Sequence, residues 1–287
     1  MVSSLKSMNE KPLTEDPAAE VRIGREFADV DASGAAEDFI RFLDMSRRQG
    51  LLAEGKSWSF DQMRLAPGHE VLDVGCGTGD DVAAMAAMVA PGGRAVGIDR
   101  SETMIAEATH RHAAIAGVSF KTGDAQTLPF ENATFDACRC ERTLMHLAEP
   151  VAAVGEIARV LRPGGRVALI EPDWEGLLIE GADPELSARI WRSTFAGARQ
   201  PRIGRRLRTL LLDAGFTDVT IEAAVGVVNE LGVALQRFHF DQLAADAVSA
   251  GTVTAGEAET WLRRLREADE RGRFLCIVLN LRAAATR

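Results

Sequence analysis

A chain of 287 residues with 46% hydrophobic residues can bury a sizeable core, and its length fits one α/β domain with additions. Its formal charge of −9 argues against non-specific binding to nucleic acid or anionic membranes, which needs clustered positive charge. Four cysteines without metal-ligand spacing, and no apolar run long enough to span a bilayer, favour a cytoplasmic protein without a metal centre.

The first 65 residues precede the first predicted strand and fall into two parts. Residues 1–17 are polar, include Pro12 and Pro17 and lack an apolar signal region, which predicts a flexible tail. Residues 18–65 carry apolar residues at helical spacing and show no strand pattern. We expect helices here that either cover a ligand site or pack on the edge of a sheet.

Residues 71–80 are the most informative stretch: a short apolar run ends in an acid, and three glycines then alternate with small residues. Helical spacing follows, so a buried strand turns through a glycine loop into a helix. Glycine permits the tight turn and lets a ligand touch the backbone, and the helix start offers unpaired N–H groups. Asp73, at the strand end, borders the crevice where open α/β sheets bind ligands.

The spacing of the glycines discriminates between ligands. A dinucleotide fingerprint reads G-x-G-x-x-G, but this loop reads G-x-G-x-G, and Asp80 and Asp81 would repel a pyrophosphate. The stretch resembles the first motif of class I methyltransferases that use S-adenosylmethionine. That resemblance implies that Asp73 faces the cofactor ammonium and that the loop backs its methionyl part. The loop consists of Gly75, Cys76, Gly77, Thr78 and Gly79.

A second apolar strand ends at Asp99, 24 positions after Gly75. A carboxylate there suits both hydroxyls of a ribose, in a methyltransferase and in a dinucleotide enzyme alike. Ser101 is a favourable N-cap for the helix that follows. Arg100 and Met104, which adjoin Asp99, are also placed among the cofactor contacts.

A third short strand leads to Gly123, Asp124 and Ala125. In the enzymes that the chain resembles, this position often supplies an acid to the adenine amino group and a backbone N–H to the ring. Asp124 is the candidate acid, with a plain Asx turn as the alternative. The phrase L-P-F-x-x-x-x-F-D at 128–136 is similar to methyltransferase type 11, the group that includes the ubiquinone and menaquinone C-methyltransferases.

Polar residues also follow the fourth and fifth predicted strands, at the edge where donor and acceptor would meet. A phenol, enol or ring-carbon acceptor needs a base, and His146 and Asp173 are the predicted catalytic pair. Glu141 is placed with the cofactor contacts and is a weaker candidate base. His146 could instead be a helix-start residue that hydrogen-bonds the backbone.

Five strands separated by four helices predict a doubly wound parallel α/β sheet. The resemblance implies a mainly parallel, seven-stranded sheet whose last strand is antiparallel and lies between the fifth and sixth. Residues 66–287 would form this Rossmann-like domain, with helical insertions at about 176–200 and 230–271 that build an acceptor pocket. By analogy with small-molecule methyltransferases, residues 18–65 would form a helical lid.

Two local patterns stand out in the variable half of the chain. Thr254 and Glu257 match a capping box, which predicts a helix start. A basic cluster could hold an anionic substrate or form a solvated helix face; it consists of Arg199, Arg202, Arg205, Arg206 and Arg208.

These features predict an enzyme that transfers a methyl group from S-adenosylmethionine to a small-molecule acceptor, with no nucleic-acid partner and no membrane span. An aromatic or isoprenoid acceptor, in quinone or specialised metabolism, suits a pocket lined by aromatic residues. The candidates are Trp58, Trp174, Phe195 and Phe238. A partner or regulator that binds S-adenosylmethionine or its demethylated product without catalysis is the alternative. The loop spacing disfavours a nicotinamide oxidoreductase.

Overall fold

The computed structural model describes residues 30–33, 36–46, 50–194 and 199–287; the predicted tail at 1–17 and Phe195 lie outside these ranges. Its helices are α1 (Val30–Ser33), α2 (Ala36–Ser46), α3 (Gly50–Met63), α4 (Asp80–Val89), α5 (Glu102–Arg111), α6 (Pro150–Val160), α7 (Pro184–Thr194), α8 (Ile203–Asp213), α9 (Leu231–Phe238), α10 (Phe240–Ser249) and α11 (Ala255–Glu270). Its strands are β1 (Glu70–Val74), β2 (Arg94–Asp99), β3 (Val118–Thr122), β4 (Phe135–Glu141), β5 (Leu161–Pro172), β6 (Leu178–Glu180), β7 (Thr217–Val228) and β8 (Leu275–Thr286). None of the helices within these ranges has the length and apolarity to cross a bilayer.

Within the described ranges the strands form one sheet in the order β3-β2-β1-β4-β5-β8, and β6 and β7 both pair with β8. The first five strands are parallel to one another. The last strand, β8, runs antiparallel to β5 and β7 and lies between them. The predicted doubly wound, mainly parallel sheet with an antiparallel last strand is therefore confirmed.

The connection from β3 to β4 is a loop, so the prediction of four helices between the first five strands is wrong. Arg159 of α6 holds this loop, because its guanidinium donates hydrogen bonds to the carbonyl oxygens of Phe130 at 2.7 Å and Leu128 at 2.9 Å. Glu156, one helical turn earlier, accepts from the Leu128 N–H at 2.8 Å. Side chains of the next helix thus satisfy backbone groups that a crossover helix would pair internally.

The strand β6 was not predicted and extends the expected seven-stranded sheet. β8 is longer than its contact with β5, and its first residues continue past the end of that neighbour. There Leu178, Ile179 and Glu180 pair with the backbone of β8. A three-residue strand forms because it satisfies the exposed edge of β8, and it is too short to show an alternating pattern.

The described residues form four hydrophobic clusters, and two of them are large. One lies between the parallel strands and helices α6 and α8 and includes Leu72, Leu144 and Ile157. The other lies among α7 and α9–α11, with Phe240 and Trp261 almost fully buried. The predicted helices at 230–271 are present and have a core of their own. The capping box of Thr254 and Glu257 opens α11 and is confirmed.

The helices α1 and α2 pack on α5, whereas α3 lies across the face of the sheet against β4, β5 and β8. Asp31 of α1 accepts hydrogen bonds from the Ser101 hydroxyl at 2.6 Å and the Glu102 N–H at 2.9 Å, at the start of α5. Asp44 of α2 pairs with Arg111 near the end of α5, at 2.7 and 3.0 Å. The predicted N-cap at Ser101 is confirmed, because its side chain accepts a hydrogen bond from the Met104 N–H in the first turn of α5.

Candidate cofactor and active site

The loop between β1 and α4 has a backbone that glycine adopts at little cost. The φ angles of Gly75, Gly77 and Gly79 are 77°, 50° and 78°, in the left-handed region. A Cβ atom on Gly75 would lie 2.0 Å from Thr143 Oγ1, so this loop packs tightly against the loop after β4. Since α4 begins directly behind, the loop presents backbone and a helix N-terminus to a ligand.

The non-glycine residues of the loop stabilise its shape. Cys76 is buried, and burial raises the pKa of its thiol well above the usual value. The Thr78 hydroxyl donates to Asp80 Oδ2 at 2.8 Å, and the Thr78 carbonyl oxygen lies 3.1 Å from His112 Nε2. The loop is therefore held from the helix α4 on one side and the end of α5 on the other.

The carboxylate of Asp99 lies directly against the glycine loop. Its Oδ2 accepts a hydrogen bond from the Gly77 N–H at 2.9 Å, and its Oδ1 accepts from the Ser101 N–H at 3.0 Å. Burial raises the pKa of Asp99, although these backbone N–H groups act in the opposite direction. Each carboxylate oxygen can accept a further hydrogen bond, as binding of two ribose hydroxyls requires.

The two residues placed beside Asp99 lie in different environments. Arg100 is exposed, whereas Met104 is 2% exposed and packs with Val30 and Phe39 of the amino-terminal helices. Met104 therefore links α5 to the helices that precede the sheet.

The third predicted contact lies in the loop after β3. The Gly123 N–H donates to the Asp99 carbonyl oxygen at 2.9 Å, which brings this loop beside the end of β2. Asp124 is exposed, and its Oδ1 accepts from the Gln126 N–H at 2.8 Å, the Asx turn given above as the alternative. Ala125 is buried beneath it.

A buried arginine in the middle of β4 organises the acids at the end of β1. Arg139 is 2% exposed and lies beside Asp73 in the sheet register, and Arg139 Nη1 is 3.2 Å from Asp73 Oδ1. Its Nη2 lies 3.1 Å from Asp81 Oδ2 and also pairs with Glu141. Lys56 completes the cluster through Asp81 Oδ1 at 2.7 Å. Arg142 Nε lies 3.8 Å from Glu141 Oε1, so three carboxylates face three basic groups.

The charges in this cluster depend on one another. Burial raises the pKa of Asp73 to about 7, and Arg139 limits the shift. Burial would also raise the pKa of Asp81, but Arg139 and Lys56 hold it below its usual value. For Arg139 the three carboxylates outweigh burial and raise the pKa. The predicted cofactor contacts Asp73 and Glu141 are thus held by Arg139 in this structure.

Two amino-terminal helices reach the glycine loop and the buried cluster. Leu43 Cδ1 of α2 lies 3.1 Å from the position of a Cβ on Gly77. From α3, Lys56 reaches Asp81, and Ser59 Oγ accepts from Arg139 Nε at 3.0 Å. The helix α2 therefore contacts the predicted cofactor loop, and α3 contacts the buried charged cluster beside it.

His146 lies in a 3-10 turn, Leu144–His146, directly after β4. Before the turn, Arg142 has a left-handed φ of 50°, and its N–H donates to the carbonyl oxygen of Ile170 in β5 at 2.8 Å. Burial, followed by the positive charges of Arg142 and Arg199, lowers the pKa of His146 to about 4. The imidazole is therefore neutral at pH 7 but is a weak base.

Asp173, the second predicted catalytic residue, is engaged in an ion pair. It is 2% exposed, and its two oxygens lie 2.5 and 2.6 Å from the guanidinium of Arg205. The guanidinium of Arg205 thus engages both carboxylate oxygens through charge-assisted hydrogen bonds. The geometry therefore favours a role for Asp173 in fixing α8 to the end of β5 over the predicted role in proton transfer.

The remaining arginines of the basic cluster mostly find local partners. Arg202 pairs with Glu175 at 2.6 Å, and Arg206 and Arg208 bind Gln200 and the Val219 carbonyl. This arrangement matches the solvated helix face better than an anion site.

Arg139 and Glu171 are buried charged residues that were not singled out from the sequence. Arg139 carried a signal, since a charge inside a central parallel strand requires buried partners. Glu171 of β5 is fully buried, and its carboxylate bonds to backbone N–H groups after β4. Its position directly after the apolar run at 167–170 was a comparable signal.

The residues present fit the predicted cofactor. The glycine loop presents backbone at the start of α4, Asp99 retains acceptor capacity, and the buried carboxylate of Asp73 would be favoured in its ionised form by an ammonium beside it. The three features lie at the ends of the adjacent strands β1 and β2, the crevice typical of ligand binding in open α/β sheets.

A family model described as a methyltransferase domain matches residues 65–211, which contain all the predicted site residues. An uncharacterized 37.1 kDa protein in transposon TN4556 of Streptomyces fradiae is 38% identical over 232 residues, 80% of this chain and 67% of that protein. The demethylmenaquinone methyltransferase of Symbiobacterium thermophilum is 39% identical over 113 residues. That match covers 38% of this chain and 45% of the enzyme, less than half its length.

Solved structures share the fold at low sequence identity. The YcgJ protein of Bacillus subtilis has a TM-score of 0.57 at 18% identity, over 82% of this chain and 98% of that one. A phosphoethanolamine N-methyltransferase of Haemonchus contortus has a TM-score of 0.51 at 18% identity, over 82% of this chain and 52% of that one.

Proposed function

The chain belongs to the methyltransferase-domain family of class I enzymes, and we propose that it methylates a small apolar acceptor, aromatic or isoprenoid. It is an enzyme, and its cofactor is S-adenosylmethionine. The contact between Thr143 and Gly75 is the observation that carries the proposal, because it joins the glycine loop to the loop that contains His146. A donor held by the first loop and an acceptor held beside the second would be adjacent.

When bound, S-adenosylmethionine supplies an electrophilic methyl group on a sulfonium. We assign its ribose hydroxyls to Asp99 and its methionyl part to the backbone of the glycine loop, with Asp73 and Arg139 setting the charge beneath its ammonium. The helix α2, through Leu43, would close over the loop and exclude water. Positioning of this kind can supply about 7–11 kcal/mol of a bimolecular barrier.

On the acceptor side, His146 is the candidate for accepting a proton. It is neutral at pH 7 because its pKa is about 4, and it lies in the turn that borders the glycine loop. Asp173 is not assigned a proton-transfer step, since Arg205 holds it.

The apolar class of the acceptor rests on the likeness to a relative. Trp58, a predicted lining residue, packs against the cluster that contains Met63 and Val71, with Arg282 6.0 Å from its ring centroid. The partly matching demethylmenaquinone methyltransferase bears a name that describes methylation of a quinone-type compound. Trp174 and Phe238, the other predicted lining residues, pack against the second core.

Radiolabelled S-adenosylmethionine and a panel of acceptors test this proposal. The panel should pair phenols and naphthoquinols with isoprenoid alcohols, and it should include primary amines of similar size. We expect label transfer to one of the first two groups, and about tenfold to a hundredfold less transfer in an Asp99→Ala protein at a cofactor concentration below saturation. Transfer confined to amines, or cofactor binding without transfer to any compound, would contradict the proposed acceptor.

A further inference from the structure

Glu171 lies at the carboxyl end of β5 and is fully buried. Its Oε1 accepts hydrogen bonds from the backbone N–H groups of Thr143 at 2.9 Å and Leu144 at 2.7 Å. These amides open the 3-10 turn, and the first N–H groups of any such turn have no partner within it. Thr143, at the N-cap position, provides no side-chain cap. The neighbouring strand therefore supplies the cap that the turn lacks.

The turn that Glu171 holds contacts the glycine loop at one end and carries His146 at the other. The Thr143 side chain lies against Gly75 of the glycine loop, and its hydroxyl donates to the Glu141 carbonyl oxygen at 3.0 Å. At the other end, the His146 N–H donates to the Thr143 carbonyl oxygen at 3.0 Å. Moving the amides of Thr143 and Leu144 would therefore displace His146 and loosen the packing on the glycine loop together.

Burial of a carboxyl group at this position is energetically unfavourable. The neighbouring residues of β5, Leu169 and Ile170, are buried and apolar. Glu171 Oε2 is buried and has no hydrogen-bond partner among the described residues. Burial raises the pKa of Glu171 to about 8, against the effect of the backbone N–H groups and with a contribution from nearby Glu141. Packing alone would favour an aliphatic residue here, so the bonds to the turn are the feature that requires a carboxyl.

We propose that Glu171 is a positioning residue for methyl transfer, whose side chain holds the turn after β4 so that Thr143 stays against the glycine loop and His146 stays at the acceptor side. Its relevance to turnover rests on the proposed function of His146. The placement of the turn by Glu171 does not, and it can be measured without an acceptor.

The test compares Glu171→Leu, which removes the acceptor oxygen, with Glu171→Gln, which keeps one. In Glu171→Leu the amides of Thr143 and Leu144 should exchange with solvent about tenfold faster or more, while amides of β4 keep their protection. The pKa of His146, measured by NMR, should rise from about 4 toward its ordinary value of 6.5 as the turn opens. Glu171→Gln should retain both properties of the wild type. Glu222→Leu, a change at an exposed glutamate of β7, is the matched control.

Wild-type exchange at Thr143 and Leu144, together with an unchanged His146 pKa in Glu171→Leu, would overturn the proposal. If that variant does not fold, Glu171→Asp decides, because it withdraws the carboxylate by one C–C bond, about 1.5 Å, and should free the same amides. Unchanged amide exchange at Thr143 and Leu144 in Glu171→Asp would also contradict the proposal.

Turnover distinguishes this inference from the proposed function. On an acceptor that the wild type methylates, Glu171→Leu should lower kcat by up to about a hundredfold. It should also raise KM for S-adenosylmethionine by a smaller factor, because the glycine loop loses its contact with Thr143, and Glu171→Gln should restore both values. If the exchange and pKa changes appear but no acceptor is ever methylated, the proposed function fails and the placement of the turn stands.

Discussion

Burial sets the protonation of the groups at the ends of β1, β4 and β5. It raises the pKa of Asp73 to about 7 and of Glu171 to about 8, and it lowers that of His146 to about 4. In each case the neutral form gains, because the protein interior solvates charge poorly. Bound cofactor would bring positive charge next to Asp73 and would favour its ionised form. We therefore expect Asp73 to lose its proton when the cofactor binds.

Asp99 provides the first prediction at this scale. In Asp99→Ala the ribose hydroxyls would lose a charge-assisted partner worth roughly 1.5–3 kcal/mol, so affinity for S-adenosylhomocysteine should fall about tenfold to a hundredfold. Asp124→Ala should have a smaller effect, because that carboxylate is exposed and turned toward Gln126. Isothermal calorimetry measures both affinities. Equal affinity of the wild type and a folded Asp99→Ala protein for S-adenosylhomocysteine would show that Asp99 does not bind the ribose.

The lowered pKa of His146 gives a prediction about pH. A base must be neutral to accept a proton, so kcat at saturating S-adenosylmethionine, where Asp73 is held ionised, should fall on the acid side with a midpoint near 4 rather than near 6.5. His146→Ala should lower turnover by about 10²–10⁴ on a phenol or carbon acceptor. His110→Ala, at an exposed position on α5, is the control. Full turnover by His146→Ala across the pH range would remove this residue from the mechanism.

At the scale of elements, the cofactor edge is built by contacts between β1, β4, α3 and α4. Arg139 projects from β4 to acids of β1 and α4, and Ser59 and Lys56 of α3 complete the set. Because the helix α3 contributes a base and a hydroxyl to a cluster beneath the predicted ammonium site, docking of α3 and the electrostatics of the site are coupled. This contact supports the proposal that the amino-terminal helices act as a lid.

Replacing Arg139 tests that coupling. Arg139→Met would leave Asp73, Asp81 and Glu141 buried near one another without their common partner, and loss of one partner from a buried ion pair costs about 3–5 kcal/mol. The matched control is Arg94→Met, which breaks a pair with Glu70 in which the arginine is 69% exposed, and it should cost less than about 1 kcal/mol. Urea denaturation measures both. Similar losses in the two variants would show that the cluster does not support the fold.

The local part of this architecture could be predicted from the sequence. The β1–loop–α4 unit, the N-cap at Ser101 and the capping box at Thr254 each depend on residues close in the chain. The partners of Arg139 come from three other elements, and β6 forms because β8 extends beyond β5. The engagement of Asp173 by Arg205 likewise joins a strand end to a distant helix. Such contacts depend on the assembled fold, which local patterns do not encode.

At the scale of the whole molecule, the two large hydrophobic cores support different parts of the protein. The parallel strands carry the glycine loop, Asp99 and the His146 turn, whereas α7 and α9–α11 surround a separate core that contains no predicted cofactor contact. The strand β8 joins them, since Cys276 lies in the second core and Ala283 in the first. We infer that the insertions serve the acceptor side and that cofactor binding is a property of the parallel half.

Trp261 allows the two halves to be separated. Its side chain is 1% exposed, packs on Phe240 with ring centroids 5.4 Å apart, and donates from Nε1 to Ser187 Oγ at 2.9 Å. Truncation of a buried tryptophan to alanine costs about 3–5 kcal/mol, and here the cavity would open within the second core. Trp261→Ala should therefore expose α7 and α11 to limited proteolysis while S-adenosylhomocysteine binds with wild-type affinity. Leu72→Ala, in the first core, should weaken both folding and binding. Loss of S-adenosylhomocysteine binding in Trp261→Ala at a temperature where β1 and β4 remain protected from exchange would show that the second core supports the cofactor site directly.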